Sequence, residues 1–187
     1  MGYDVRQKAD IIGTYRFICV YLMETLARWV PTTPELEAKA LFGRHLWDLA
    51  QHADQLGQRT AELRAGLHYN RKPSPAYMDI LESLAGTEDT AERIQGFYDA
   101  ILPYLSQTYE TYLEKADYLL DDPTVRILQR MLADHPRMRD QRDELLEDRP
   151  DLDPADSAFA DGIRRSLEAL GGVVNNRPPV QAAGIVG

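Results

Sequence analysis

PTTPELEAKALFGRHLWDLAQHADQLGQRTAELR, residues 31–64, places Phe42, Leu46, Leu49, Ala53, Leu56, Thr60 and Leu63 in one row with steps of three and four. That period keeps a single face buried and predicts one long amphipathic helix running to about Ala65, with Gly66 as its C-terminal cap. Thr33 and Pro34 suit a capping residue and a first helical position, and at ~1.5 Å per residue the helix would span about 50 Å. Two of the four histidines, His45 and His52, lie one heptad apart on it with Asp48 between them.

Moving toward the N-terminus, Ile11, Tyr15, Ile18, Leu22, Thr25 and Trp29 repeat at the helical period, and Ile12, Cys19 and Leu26 widen that face. A helix over 6–30 follows, joined to the long one by Val30–Pro34, a break so short that the two must be antiparallel. Phe17 and Val20 point away from this face, toward the tail or a second copy of the chain. Moving toward the C-terminus, LHYNRKPSP (67–75) is a loop and 76–85 a short helix stopped by Gly86. Asp89 and Glu92 form a capping box ahead of Ile94, Tyr98, Ile101, Leu105, Thr108, Tyr109 and Tyr112, a helix ending near Leu119. Asp122 and Pro123 open a further helix through Val125, Leu128, Leu132, His135, Met138 and Leu145 to about Glu147.

The reading is all-α: two helical hairpins joined by a long crossover, occupying residues 1–148. Residues 149–172 form a linker and an outer accessory helix that Asp153 would cap and Gly171–Gly172 would stop. Residues 173–187, VVNNRPPVQAAGIVG, have no periodicity and read as an extended or disordered tail. Four long helices with one long crossover between the second and third is a ferritin-like four-helix topology.

Composition narrows the function classes. A net charge of -9 with no Lys/Arg-rich block removes the attraction on which non-specific nucleic-acid binding depends. The longest apolar run, Phe17–Met23, falls far short of the roughly 20 residues of a membrane span, so no membrane is expected. MGYDVRQKAD lacks the apolar core of a signal peptide, Arg6 stands where a myristoylation signal needs Ser or Thr, and Cys19 is the only cysteine. These features point to a cytoplasmic protein.

Equal distances from the turns place His45, His52 and His135 near one level of the bundle, together with Tyr15, Tyr104, Tyr109 and Asp48. Pro103 and Pro136 lie at a similar depth and could kink their helices to open a pocket there, or could mark a helix boundary and a bend. Imidazole and carboxylate suit iron or another transition metal, with His45, Asp48, His52 and His135 as candidate ligands. Without metal, His45, His52 and His135 could move protons while Tyr15, Tyr104 and Tyr109 position a substrate. His45 and His52 are about 10 Å apart along the helix, far for one ion. They also share a row with Arg59, so they read equally well as the polar margin of a buried stripe. His68 lies in the loop. Ten tyrosines against four phenylalanines suggest a wet interior, and Tyr98, Tyr104, Tyr109 and Tyr112 follow the spacing of core packing.

TLARWVPTTPELEAKALFGRHLWDLAQHADQLGQRTAELR, the crossover and DDPTVRILQRMLADH together resemble the ferritin-like superfamily, specifically its bacterial ferritin-like domain proteins, over about residues 6–147. The resemblance implies a four-helix bundle whose better-known members bind two iron or manganese ions and activate dioxygen or store iron. Their Glu-x-x-His motif is absent here: Phe42, Leu49, Ala65 and Leu132 stand three residues before His45, His52, His68 and His135. No ligand position carries over. Two functions remain in view: an enzyme of small-molecule metabolism, either a nonstandard metal-dependent oxidoreductase or an acid–base catalyst, and a non-catalytic bundle that binds a ligand or protein partner.

Overall fold

The computed structural model describes residues 2–153 and 157–174, most of them helical and none in a strand. Helix α1 (Val5–Thr32) starts at a complete capping box between Asp4 and Gln7, and α2 covers Leu36–Glu62. The rows read from the sequence are the buried ones: Ile11, Tyr15, Ile18, Leu22 and Trp29 on α1 face Phe42, Leu49, Ala53 and Leu56 on α2. Trp29 and Phe42 lie 5.4 Å apart near the turn that joins the two helices.

Two boundaries differ from expectation. Helix α1 continues through Pro31, because a proline in the last turn forfeits only one amide bond. Thr33 therefore ends α1, its N–H donating to the Trp29 carbonyl at 2.9 Å, while Glu35 stands before α2. The Thr33 hydroxyl accepts from the buried Arg93 guanidinium instead of capping α2. Helix α2 is also shorter than expected, about 40 Å. Beyond it, Arg64 and Gly66 take positive φ (64° and 95°) and turn the chain sharply.

The start of the crossover lies against α1 and α2 at two glycines. A Cβ on Gly13 would stand 2.6 Å from the Tyr69 ring, and one on Gly57 would stand 2.1 Å from His68 Nδ1. The loop uses the backbone exposed there, since the His68 and Arg71 amides donate to the Gly57 and Gly13 carbonyls. Helix α3 (Pro75–Ala85) follows under a Ser74 cap.

The next predicted helix is segmented and ends earlier than Leu119. It comprises α4 (Thr90–Gln95), a π-helical turn (Gly96–Ile101) and α5 (Leu102–Lys115). Pro103 directly follows the π turn, and the widened turn accommodates a ring that crowds the preceding carbonyls. Pro103 thus marks a helix boundary, while Pro136 lies inside α6 (Asp122–Asp148), which continues through it. Helix α7 (Ala158–Leu170) begins under a Ser157 cap instead of Asp153, whose carboxylate accepts from Gln95, and ends at Gly171 with φ 65°.

Helix α7 is less peripheral than expected. It buries Ala160, Ile163 and Leu167 against the π turn and α3, and Gly96 permits this approach, since a Cβ there would meet Leu84, Phe159 and Ile163. Val173 is buried and its carbonyl accepts from the Ser74 amide. The tail expected over 173–187 lies, beyond Val174, outside the described residues.

Contacts between helices run antiparallel at each junction that bears on the site. Tyr15 and Cys19 of α1 meet Thr108 and Tyr109 of α5, while Tyr3 stacks on Tyr112. Ser106 and Tyr112 of α5 meet His135 and Asp121 at α6. Helices α2 and α6 pair along most of their length.

Candidate functional site

Helices α2 and α6 are joined by a polar seam in which each partner is set by the helical period. His45, Asp48 and His52 are spaced three and four apart; Asp134, Arg137 and Gln141 repeat that spacing in reverse along α6. His45 Nε2 lies 2.8 Å from Gln141 Oε1, Asp48 Oδ1 lies 3.0 Å from Arg137 Nη2, and His52 Nε2 lies 2.9 Å from Asp134 Oδ2. Arg137 also binds Asp134, so Asp48 reaches His52 through two intervening groups. The row ends at Arg59, whose guanidinium binds Thr124 and the fully buried Asp121. Tyr112 donates to the same Asp121 carboxylate, and Lys8 lies 3.4 Å from it.

His45, His52 and His135 are buried, which disfavours their charged forms. Burial pushes the His45 imidazole below its ordinary value, outweighing the hydrogen bond to Gln141 and the nearby Asp48 carboxylate. Because the Gln141 oxygen accepts from Nε2–H, Nδ1 is the acceptor for the Tyr98 hydroxyl, which the π turn presents to it. Burial likewise lowers His52 despite the hydrogen bond and charge of Asp134. Its Nε2–H donates to that carboxylate, and Nδ1 is buried with no hydrogen-bond partner. Burial, then the neighbouring His52, brings His135 down to about 3. Ser106 Oγ donates its proton to the Leu102 carbonyl, so His135 Nδ1–H donates to Ser106 at 2.8 Å.

The expected convergence at mid-bundle separates into parts. The His52 and His135 rings lie 6.2 Å apart, and Tyr109 lies 5.7 Å from His135. Tyr15 contacts Tyr109 edge-on at 5.0 Å, with Cys19 Sγ 3.8 Å from the Tyr109 hydroxyl. Burial raises this thiol to about 12 and pushes the Tyr109 hydroxyl well above its ordinary value. His45 belongs to the Tyr98–Gln141 end of the seam. Tyr104 is half-buried on the far side of α5, stacked 6.0 Å from Tyr77. His135 meets Ser106, and Thr108 offers its carbonyl to Tyr15. The carboxylates Glu24, Glu110 and Glu114 are exposed, and so is His68. Among the described residues no group of three or more His, Cys, Asp or Glu side chains is arranged to hold a metal ion. His45, Asp48, His52 and His135 are spread along the seam instead.

A cavity of about 430 Å³ opens elsewhere, between α1, α5 and the end of α7. Tyr15, Tyr104 and Tyr112 line it with Gln107, Lys115 and Glu168, and the Gly171–Val174 backbone closes one side. None of the three buried histidines reaches it. The Tyr15 hydroxyl is directed at the Thr108 carbonyl and that of Tyr112 at Asp121, so these two residues offer the cavity ring surface more than donors.

No family model, curated protein or solved structure matches the chain. The functional reading therefore stands on geometry and chemistry alone. Among the described residues no helix is long and apolar enough to cross a membrane.

Proposed function

We propose that this protein is a ligand-binding helical bundle of ferritin-like arrangement that takes a small, planar, largely apolar molecule in the Tyr15–Tyr104–Tyr112 cavity. The observation that carries this reading is the cavity itself. Its volume falls in the range of small-molecule sites, the rings of Tyr15, Tyr104 and Tyr112 line it, and its polar side chains besides the tyrosines are Gln107, Thr108, Thr111, Lys115 and Glu168. Aromatic rings favour a flat ligand by stacking or edge contacts, and the Lys115 ammonium would favour one bearing an anionic group. A bundle is supported by the cyclic, antiparallel order of contacts from α1 to α2, α6, α5 and back to α1. The α3-containing crossover between α2 and α4 matches a ferritin-like connection.

The test uses 1-anilinonaphthalene-8-sulfonate, a planar aromatic anion. Saturable fluorescence enhancement at one site per chain is expected, with near-UV circular dichroism unchanged. Thr111 is exposed at the cavity lining, so Thr111→Trp should fill the site without unfolding the chain and weaken the dye about tenfold or more. Equal dye binding by this variant would sink the assignment.

A second reading, metal-dependent oxidoreductase chemistry at the level of His52 and His135, is favoured by one observation, the buried Nδ1 of His52 without a partner. Its first requirement is that an ion binds there.

A further inference from the structure

We propose that His52 and His135, together with the thioethers of Met131 and Met138, form a buried binding site for one copper(I) ion. This site is separate from the tyrosine cavity and does not rest on that reading. His52 is 1% exposed, and its Nδ1 lone pair faces the interior unused. A buried acceptor left without a donor destabilises the fold, so the position is one that a bound group would stabilise.

The tautomers are already those of metal ligands. Asp134 holds the proton of His52 on Nε2 and leaves Nδ1 bare; Ser106 holds that of His135 on Nδ1 and leaves Nε2 bare. A carboxylate or hydroxyl on the far nitrogen orients an imidazole and raises its basicity as a ligand. Ring spacing agrees. With metal–nitrogen bonds of about 2.0 Å, two imidazole centroids stand about 5 Å apart around a tetrahedral ion and about 6.3 Å apart across a linear one. The 6.2 Å spacing fits near-linear imidazole ligation with the thioethers as weaker lateral ligands.

The neighbouring residue types select the metal. Met131, His135 and Met138 are spaced four and three apart, which places them on one face of α6, and all three are buried. Thioethers are soft donors that favour copper(I). Oxygen-preferring divalent ions find no cluster of carboxylates among the described residues, and a closed zinc site would need more His, Cys, Asp or Glu donors than assemble here. A monovalent ion accepts few ligands and brings one charge into the interior, where Asp134 can offset it.

The experiment is an anaerobic titration of the full chain with copper(I) against bicinchoninate as competitor. Wild type should retain one equivalent. His52→Leu should retain none, and Asp134→Asn should bind about tenfold more weakly. Met131→Leu/Met138→Leu nearly conserves volume and keeps the fold, so a loss of about tenfold or more in this variant reads the thioethers directly. Cys19→Ala should bind like wild type, and far-UV circular dichroism and dye binding in the tyrosine cavity should be unchanged in each folded variant. If His52→Leu does not fold, the double methionine variant decides. Transfer of all copper from wild type to bicinchoninate, loss of copper with Cys19→Ala, or full retention by the double methionine variant would overturn the proposal.

Discussion

Asp121 receives more polar partners than any other single carboxylate in the seam and is fully buried. Burial raises its pKa, but hydrogen bonds from Tyr112, Thr124 and Arg59 and the charge of Lys8 together hold it below the ordinary 3.8. A carboxyl depressed on folding contributes stability that is fully present above its unfolded value and lost as pH falls through its folded value. Urea unfolding should therefore show Asp121→Asn less stable than wild type by about 3 kcal/mol at pH 7, because the buried Arg59 then keeps only the exposed Glu62 as counter-charge. That gap should stay constant above about pH 5 and narrow below pH 4. A gap independent of pH would mean that the carboxylate charge is not what matters.

At the same scale, sequence reasoning placed His45, His52 and Arg59 correctly in one row but did not supply their partners. Asp134, Arg137 and Gln141 carry the matching three-and-four spacing, and that repeat in α6 was the available signal. It was obscured because His135, Met138 and Leu145 make α6 read as an apolar stripe, and a row defined by its bonds is visible only once a facing helix is known. Tyr98 was assigned to core packing, which is correct, yet its hydroxyl also fixes the His45 tautomer.

Among the elements, the long helices were legible because burial of one face leaves a periodic trace in sequence. The π turn and the seats of the crossover were not. A π turn adds a residue without changing composition, and Gly13 and Gly57 sit inside helices, where glycine carries no local signal for a loop that arrives from elsewhere. These two seats make a prediction about the loop. Gly13→Ala should displace Tyr69, break its hydroxyl's bond to Asp10 and cost about 1–3 kcal/mol. Amide hydrogen exchange should accelerate over 67–71 before it does so in α1. Unchanged exchange in that loop would show that Tyr69 yields without disturbing the backbone.

For the molecule as a whole, Cys19 is a built-in reporter of opening. Its thiol is 1% exposed and raised to about 12, so both access and thiolate formation are suppressed in the native state. N-ethylmaleimide should label the native chain at least about a hundredfold more slowly than the urea-unfolded chain. Rapid native labelling would place Cys19 in a locally opening segment instead of the common core. The core that shields it is shared, since α1, α3, α5, α6 and α7 all contribute fully buried or nearly buried side chains.

The α2–α6 seam also carries a consequence for how this chain could change over generations. Its pairs, 45 with 141, 48 with 137 and 52 with 134, hold a nearly constant sum of residue numbers, and the salt bridge of 37 with 149 continues it. A greasy stripe alone would let one helix slide past another by a heptad with modest loss. Here a heptad slip one way would leave His52 opposite Ile127, and the other way would set Asp48 against Glu144, so neither keeps the whole seam. Insertions and deletions in these two helices should therefore be inherited as matched sets or not at all, while the crossover and the α5–α6 turn remain free to vary in length. Descendants of this sequence would be recognisable by a ruler kept constant between two helices, even after most of the letters on it had been replaced.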